Sequence, residues 1–198
     1  MTDTSSVNAS GKKGSKRDAS LPSSAAGRII LPKSNGKWED ETKRGECMWY
    51  PGLPDDTSIE TKPSKSNPNG LTWKQVKDKY GFEGVEFKNK EPNFRPFSRG
   101  HVIFKEGQYT SKRRKNFRMA DKQMANQLND AYEKKYGEKP SPLYTRNDVK
   151  KWRKKNGYTW HEERNCQDLQ KIPSILNNNI PHSGGIAAKK VEESEVFV

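Results

Sequence analysis

Between Gly157 and Gly185 the chain stops reading as helix and packs a strand, a turn, a second strand and a short helix into 28 residues, YTWHEERNCQDLQKIPSILNNNIPHSGG. This order of elements constrains the fold more than any other part of the sequence. YTWHE is β-prone, with aromatic and β-branched residues in alternation. ERNCQD supplies turn residues, LQKI returns as a strand, and Pro173-Ser174 opens a helix over SILNNNI. Gly184-Gly185 end the unit, either as a helix stop or to let backbone approach a phosphate closely. The same stretch holds two of the chain's three histidines, His161 and His182.

The remainder divides by composition. Residues 1–27 are mostly Ser, Ala, Gly and Lys and bury too little to offset ordering, so they read as a disordered linker. Structure is expected from Gly27-Arg28-Ile29-Ile30 onward. Residues 33–70 are crowded with turn signals (Asn35-Gly36, Pro51-Gly52, Pro54-Asp55-Asp56, Asn67-Pro68-Asn69-Gly70), with Trp38, Met48, Trp49 and Tyr50 as anchors of a loop-rich layer. Leu71 to Tyr80 reads as a helix capped by Thr72 and ended by Gly81, with Val76 and Tyr80 on one face. Val85–Asn89 and His101–Phe104 read as strands.

NFRMADKQMANQLNDAYEKKYG is a longer helix that places Phe117, Met124, Leu128, Ala131 and Tyr132 near one face, with Asp121 bonding inward and Gly137 as the stop. TRNDVKKWRKKNG begins with a Thr145-x-x-Asp148 capping pattern; Val149 and Trp152 share its apolar face. The last eight residues, 191–198, form an acidic tail expected to fray. The expected organisation is a linker over 1–27, one α+β domain over 28–190 and that tail.

Charge narrows the partners. Formal net charge is +13, and residues 101–190 hold 20 Lys and Arg against 9 Asp and Glu, while the rest of the chain is nearly balanced. Such a concentration points to a polyanion. Lys150, Lys151, Arg153, Lys154, Lys155, Arg113 and Arg114 are the candidate phosphate contacts. Two cysteines 119 residues apart make neither a disulfide framework nor a zinc ribbon. No apolar run is long enough to span a membrane, and the N-terminus lacks the apolar core of a secretory signal.

A hairpin followed by a helix can clamp one divalent cation between a strand side chain and one or two helix side chains. A hydrated metal stabilises the leaving oxygen of a phosphodiester while a neutral imidazole deprotonates water. His161 on the strand, and Asn177 and His182 on or after the helix, supply those parts. Trp160 reads as the core anchor that fixes the strand.

Tyr158-Thr159-Trp160-His161-Glu162, Asp168-Leu169-Gln170-x-Ile172-Pro173 and His182-Ser183-Gly184-Gly185 together resemble the signature of the HNH/endonuclease VII nucleases found in bacterial polymorphic toxins. The branch with a Trp-His-His or Trp-His-Glu core and a terminal His-x-Gly-Gly is the most similar. The segments YGFEGVEFKNKEPNFRPF, RRKNFRMADKQMA and TRNDVKKWRKKNGYTWHE resemble that branch in order, so the likeness covers roughly residues 44–190. It implies a ββα-metal (His-Me finger) core at about 157–187, with added helices and a loop-rich N-terminal layer. By the same resemblance, His182 matches the terminal metal ligand, Asn177 a middle position that accepts Asn, and His161 the strand histidine.

Glu162 stands where relatives carry a second histidine. Either His161 is the general base, or it ligates and Glu162 assists; an unshifted carboxylate near pKa ~4 is a weak base toward water, which favours His161. Asn93 stands where relatives carry Asp, which removes a carboxylate. The weaker donors suggest Mg²⁺ or Mn²⁺, with Zn²⁺ and Ni²⁺ also compatible.

The resemblance implies a metal-dependent DNase toxin of little sequence specificity, used between competing bacteria. It would be made in the bacterial cytoplasm, carried by a secretion system or carrier protein into a target cell, and silenced by an acidic immunity protein. A ribonuclease on the same scaffold and a non-catalytic basic nucleic-acid-binding protein are the alternatives.

Overall fold

The computed structural model of the protein describes residues 29–52 and 67–195. The expected linker over 1–27, the Pro54-Asp55-Asp56 turn and the last three residues lie outside the described residues. An antiparallel sheet, ordered β1-β2-β3-β4, is formed by β1 (Gly36–Trp38), β2 (Met48–Pro51), β3 (Val85–Lys88) and β4 (Glu91–Pro92). Trp38 pairs with Trp49 across β1 and β2, and both are buried with Phe87 and Phe94. Between β2 and β3 runs α1 (Trp73–Tyr80). Thr72 and Gln75 close a capping box at its start, and Gly81 ends it at φ 66°, a conformation that favours glycine.

A second sheet is ordered β5-β7-β6, all antiparallel, from β5 (His101–Ile103), β6 (Tyr158–Glu162) and β7 (Asp168–Pro173). The long helix α2 (Arg113–Tyr136) and α3 (Arg146–Lys155) cover one face. There Val102, Ala120, Met124, Val149, Trp160 and Leu169 form a core. Successive strand residues point to opposite faces, and Ile172 of β7 accordingly enters the other core. In that core it meets Phe94 of the N-terminal layer and Ile175, Leu176 and Ile180 of α4 (Ser174–Asn179) and its exit. The small sheet is therefore buried on both sides, with β7 central and β5 and β6 at its edges.

Several elements depart from expectation. On α2, Leu128 and Ala131 are exposed, and the buried face runs through Asn116, Ala120, Asp121, Met124, Ala125 and Asn129. Three of those six are polar, and each has a partner elsewhere in the chain, so a count of apolar residues misplaces the face. On α3, Val149 is buried but Trp152 is 44% exposed; Arg153, one turn from Val149, is buried instead. Gly185 does not end the region. It starts α5 (Gly185–Glu195), which absorbs most of the expected acidic tail. Both cysteines are free.

Candidate active site

The two faces of β6 carry different chemistry. Toward α2, the Trp160 indole donates to Asp121 Oδ1 at 2.8 Å, and the Arg153 guanidinium donates to both Asp121 oxygens, at 3.2 and 3.0 Å. Arg153 is thus a buried ion-pair partner and not the expected phosphate contact. Glu162 is buried on the same side and accepts from Asn116 Nδ2 at 2.8 Å and Arg113 Nε at 3.1 Å. Burial raises the Glu162 pKa above the ordinary carboxylate value, against the pull of Asn116 and Arg113.

Toward the N-terminal layer, His161 sits edge-on to the rings of Phe94 and His182, each with centroids 4.9 Å away. Its Nδ1 meets the side-chain oxygen of Asn177 at 3.2 Å. Asn177, the expected middle metal ligand, thus holds the ring of His161 through its side-chain oxygen. His182 Nδ1 meets the Ile180 carbonyl at 2.7 Å. Both partners are oxygens that only accept, so Nδ1 carries the proton in each ring and Nε2 keeps its lone pair. His161 Nε2 is buried and has no hydrogen-bond partner. Burial first, then the neighbouring His182, hold the His161 pKa well below its ordinary value, so the ring is neutral at neutral pH. His182 is lowered too, chiefly by burial.

Sequence reasoning passed over Glu91. Its Oε1 lies 3.9 Å from His161 Nε2 and accepts the Arg164 backbone N–H at 2.8 Å. Burial pushes its pKa up to about 7, and the nearby Glu163 and Asp168 charges add to the rise. The carboxylate judged lost at Asn93 is present two residues earlier. Asn93 itself bonds Glu86 and the backbone of Arg95. A signal was available in EPNF: one ionisable residue beside Pro92 and Phe94, both of which are buried.

The free edge of β6 opens into a cavity of about 410 Å³. Arg113 and Phe117 of α2 line one side, His161 and Glu162 the floor, and Asn177 and His182 the other side. The Arg113 side chain is 65% exposed and lines this cavity together with both imidazoles, whose protonation its charge opposes. Lys150, Lys151, Lys154, Lys155 and Arg114 are exposed but do not line this cavity. A Cβ on Gly184 would come within 2.9 Å of the Glu162 carbonyl, and one on Gly185 within 2.4 Å of that of Glu163. Both glycines let the segment carrying His182 press against the backbone at the end of β6.

His161 Nε2, His182 Nε2 and the Glu91 carboxylate are donors of the kind a divalent cation takes. Each imidazole already gives its Nδ1 proton to an oxygen, the usual outer support of a ligating histidine. The orphaned, buried Nε2 of His161 is the observation that calls for a ligand. Among the described residues no three His, Cys, Asp or Glu side chains converge closely enough to hold an ion as they stand. The donor chemistry fits, and the spacing is open.

A family model of the DNase/tRNase domain of colicin-like bacteriocins matches residues 85–184, which includes β6, β7, α4 and both site histidines. The chain belongs to that family. It is a nuclease toxin domain, and its α+β fold with a hairpin and helix at the site is compatible with a ββα nuclease. No curated protein and no solved structure matches it.

Proposed function

We propose that this chain is an HNH-type, divalent-metal-dependent endonuclease toxin that hydrolyses the phosphodiester backbone of DNA. The observation that carries this reading is the pair of neutral imidazoles, each supported at Nδ1, with His161 Nε2 buried, unpartnered and facing a carboxylate. His161, His182 and Glu91 would hold the cation, most plainly Mg²⁺ or Mn²⁺. Asn177 positions the first ring. When bound, the cation would supply positive charge for the departing oxygen.

Glu162 serves as the base. Its raised pKa removes the objection that an ordinary carboxylate is too weak. It takes a proton from the water that attacks phosphorus as the bond to the leaving oxygen breaks. Arg113 spends its Nε on Glu162 and keeps its outer N–H groups for a phosphate oxygen. The exposed lysines of α3 hold the flanking backbone.

Attack by water needs no 2′-OH, which favours DNA over RNA. Digestion of plasmid and of total RNA, each with Mg²⁺ and with EDTA, tests substrate and metal together. Colicin-like toxins imply an immunity protein; for a partner of this net charge we propose an acidic one, captured by electrostatic steering. Delivery by a secretion system or carrier from the producing cell is part of the same reading.

The role split is tested by calorimetric metal titration beside plasmid turnover. His161→Ala is expected to lose at least about tenfold in metal affinity. Glu162→Gln should retain metal binding and lose about 10²–10⁴ in turnover. The opposite pattern would return the base to His161.

A further inference from the structure

A second cavity, of about 580 Å³, opens where β6 begins. Thr159 lines both cavities, and it shares a strand face with His161 two residues on, about 7 Å along the chain. The two cavities therefore adjoin along one strand. The wall of the second is made from the Asn67–Leu71 turn, the end of α1, the end of α3 and the start of β6. Among the described residues no Asp or Glu lines it. Lys79, Lys154 and Lys155 do, and none of the three is ion-paired with any described residue. The fourth cation there, Arg153, is already neutralised by Asp121.

Tyr158 lines the same cavity, and its ring lies 5.3 Å from that of Trp152, the helix residue left 44% exposed. Lys171 Nζ sits 4.6 Å from the Trp152 ring centre. Cations with no ion-pair partner among the described residues, amides, and the half-buried Tyr158 ring beside the exposed Trp152 describe a site for a nucleotide: a phosphate for the lysines and a base for the ring faces. The Asn67–Leu71, Lys79 and Tyr80 wall precedes residue 85, outside the segment matched by the family model.

We propose that this cavity holds an unpaired nucleotide flanking the scissile phosphate, so that the enzyme prefers single-stranded or locally opened strands. The base lies against Tyr158 and Trp152, and its phosphate lies among Lys79, Lys154 and Lys155. The proposal rests on the nuclease reading of the neighbouring cleft. An acidic polypeptide would satisfy the lysines equally but would leave the aromatic pair without use, and the test separates the two.

The experiment measures fluorescence anisotropy of a labelled 20-nucleotide single strand and its duplex, with the full chain in EDTA so that nothing is cleaved. Lys154→Gln/Lys155→Gln should weaken single-strand binding several-fold and flatten its log–log salt slope by about 0.7, one phosphate's worth. Trp152→Ala should weaken the single strand by roughly tenfold or more and leave the duplex nearly unchanged. Lys134→Gln, on the last turn of α2 and outside both cavities, is the control for bulk charge.

Loss no greater than in that control, or equal loss on single strand and duplex with Trp152→Ala, overturns the proposal. Hydrolysis of bis(4-nitrophenyl) phosphate, which fills only the catalytic cleft, separates the two claims. Wild type should cleave it with Mg²⁺ and not with EDTA. If wild type cleaves neither this ester nor any nucleic acid, the nuclease reading fails, while the anisotropy still decides the nucleotide site.

Discussion

On the side of β6 that faces α2, Trp160 and Arg153 donate to Asp121 and Asn116 donates to Glu162, two sets of buried bonds that leave these side chains partnered. One residue along and on the opposite side, His161 is as deeply buried, yet its Nε2 meets no donor or acceptor and a carboxylate stops 3.9 Å short of it. Burial is the same on the two sides and satisfaction is not. A buried polar atom without a partner costs about 1–3 kcal/mol. A strand that satisfies one side and leaves the other open holds the open side for something other than folding. The satisfied side fixes the strand through Trp160, and that fixes where His161 points.

The comparison breaks most severely at Asp121. Asp121→Ala leaves the Arg153 guanidinium and the Trp160 indole N–H buried without an acceptor. Loss of one partner of a buried pair costs about 3–5 kcal/mol. Urea unfolding should show a loss of that size. A loss below about 1 kcal/mol would mean that the network is not the anchor of the strand.

Glu91 tests the open side through pH. Its folded pKa of about 7 lies above the 4.5 of an unperturbed glutamate, which serves for the unfolded chain. The metal-free folded state therefore binds this proton more tightly than the unfolded state does. The advantage is fully present below about pH 4.5 and is lost as pH rises through about 7. The shift corresponds to about 3 kcal/mol. Glu91→Gln keeps an oxygen for the Arg164 N–H and cannot ionise, so its stability relative to wild type should climb by about that amount between pH 4.5 and 7 and then level off. Taking the difference removes the opposing contribution of the two histidines, whose depressed pKa values make acid destabilising. A flat difference in metal-free urea titrations would show that Glu91 ionises as freely in the folded chain as in the unfolded one.

Much of this was legible in the sequence, and the failures share a cause. The hairpin, its helix, both histidines, the capping of α1 and α3 and the anchoring role of Trp160 follow from local pattern, and local pattern is what a sequence displays. Arg153 looked like one more surface cation in a basic run because nothing within that run reveals Asp121, 32 residues earlier. The buried face of α2 was misplaced for the same reason: Asn116, Asp121 and Asn129 are buried only because Glu162, Arg153 and Tyr144 answer them from afar. Glu91 belongs to a two-residue strand whose relation to His161 is set by how the N-terminal layer lies on the sheet. Contacts made across layers leave no period in the sequence.

The smallest effect is the sharpest comparison, because it should carry the opposite sign. If the open side of β6 is kept for a ligand, replacing His161 by a hydrocarbon of similar size removes an unsatisfied nitrogen and gains contact with Phe94. The one bond lost is that to Asn177, whose side chain is only half-buried and can turn to water. His161→Leu should therefore leave the metal-free protein as stable as wild type or about 1 kcal/mol more stable, while nuclease activity is abolished. The same exchange on the satisfied side, Glu162→Leu, should destabilise, because Asn116 and Arg113 lose their acceptor. Urea midpoints measured in EDTA decide it. If both variants fall together, the two sides of the strand are equally structural, and the distinction between them has to be given up.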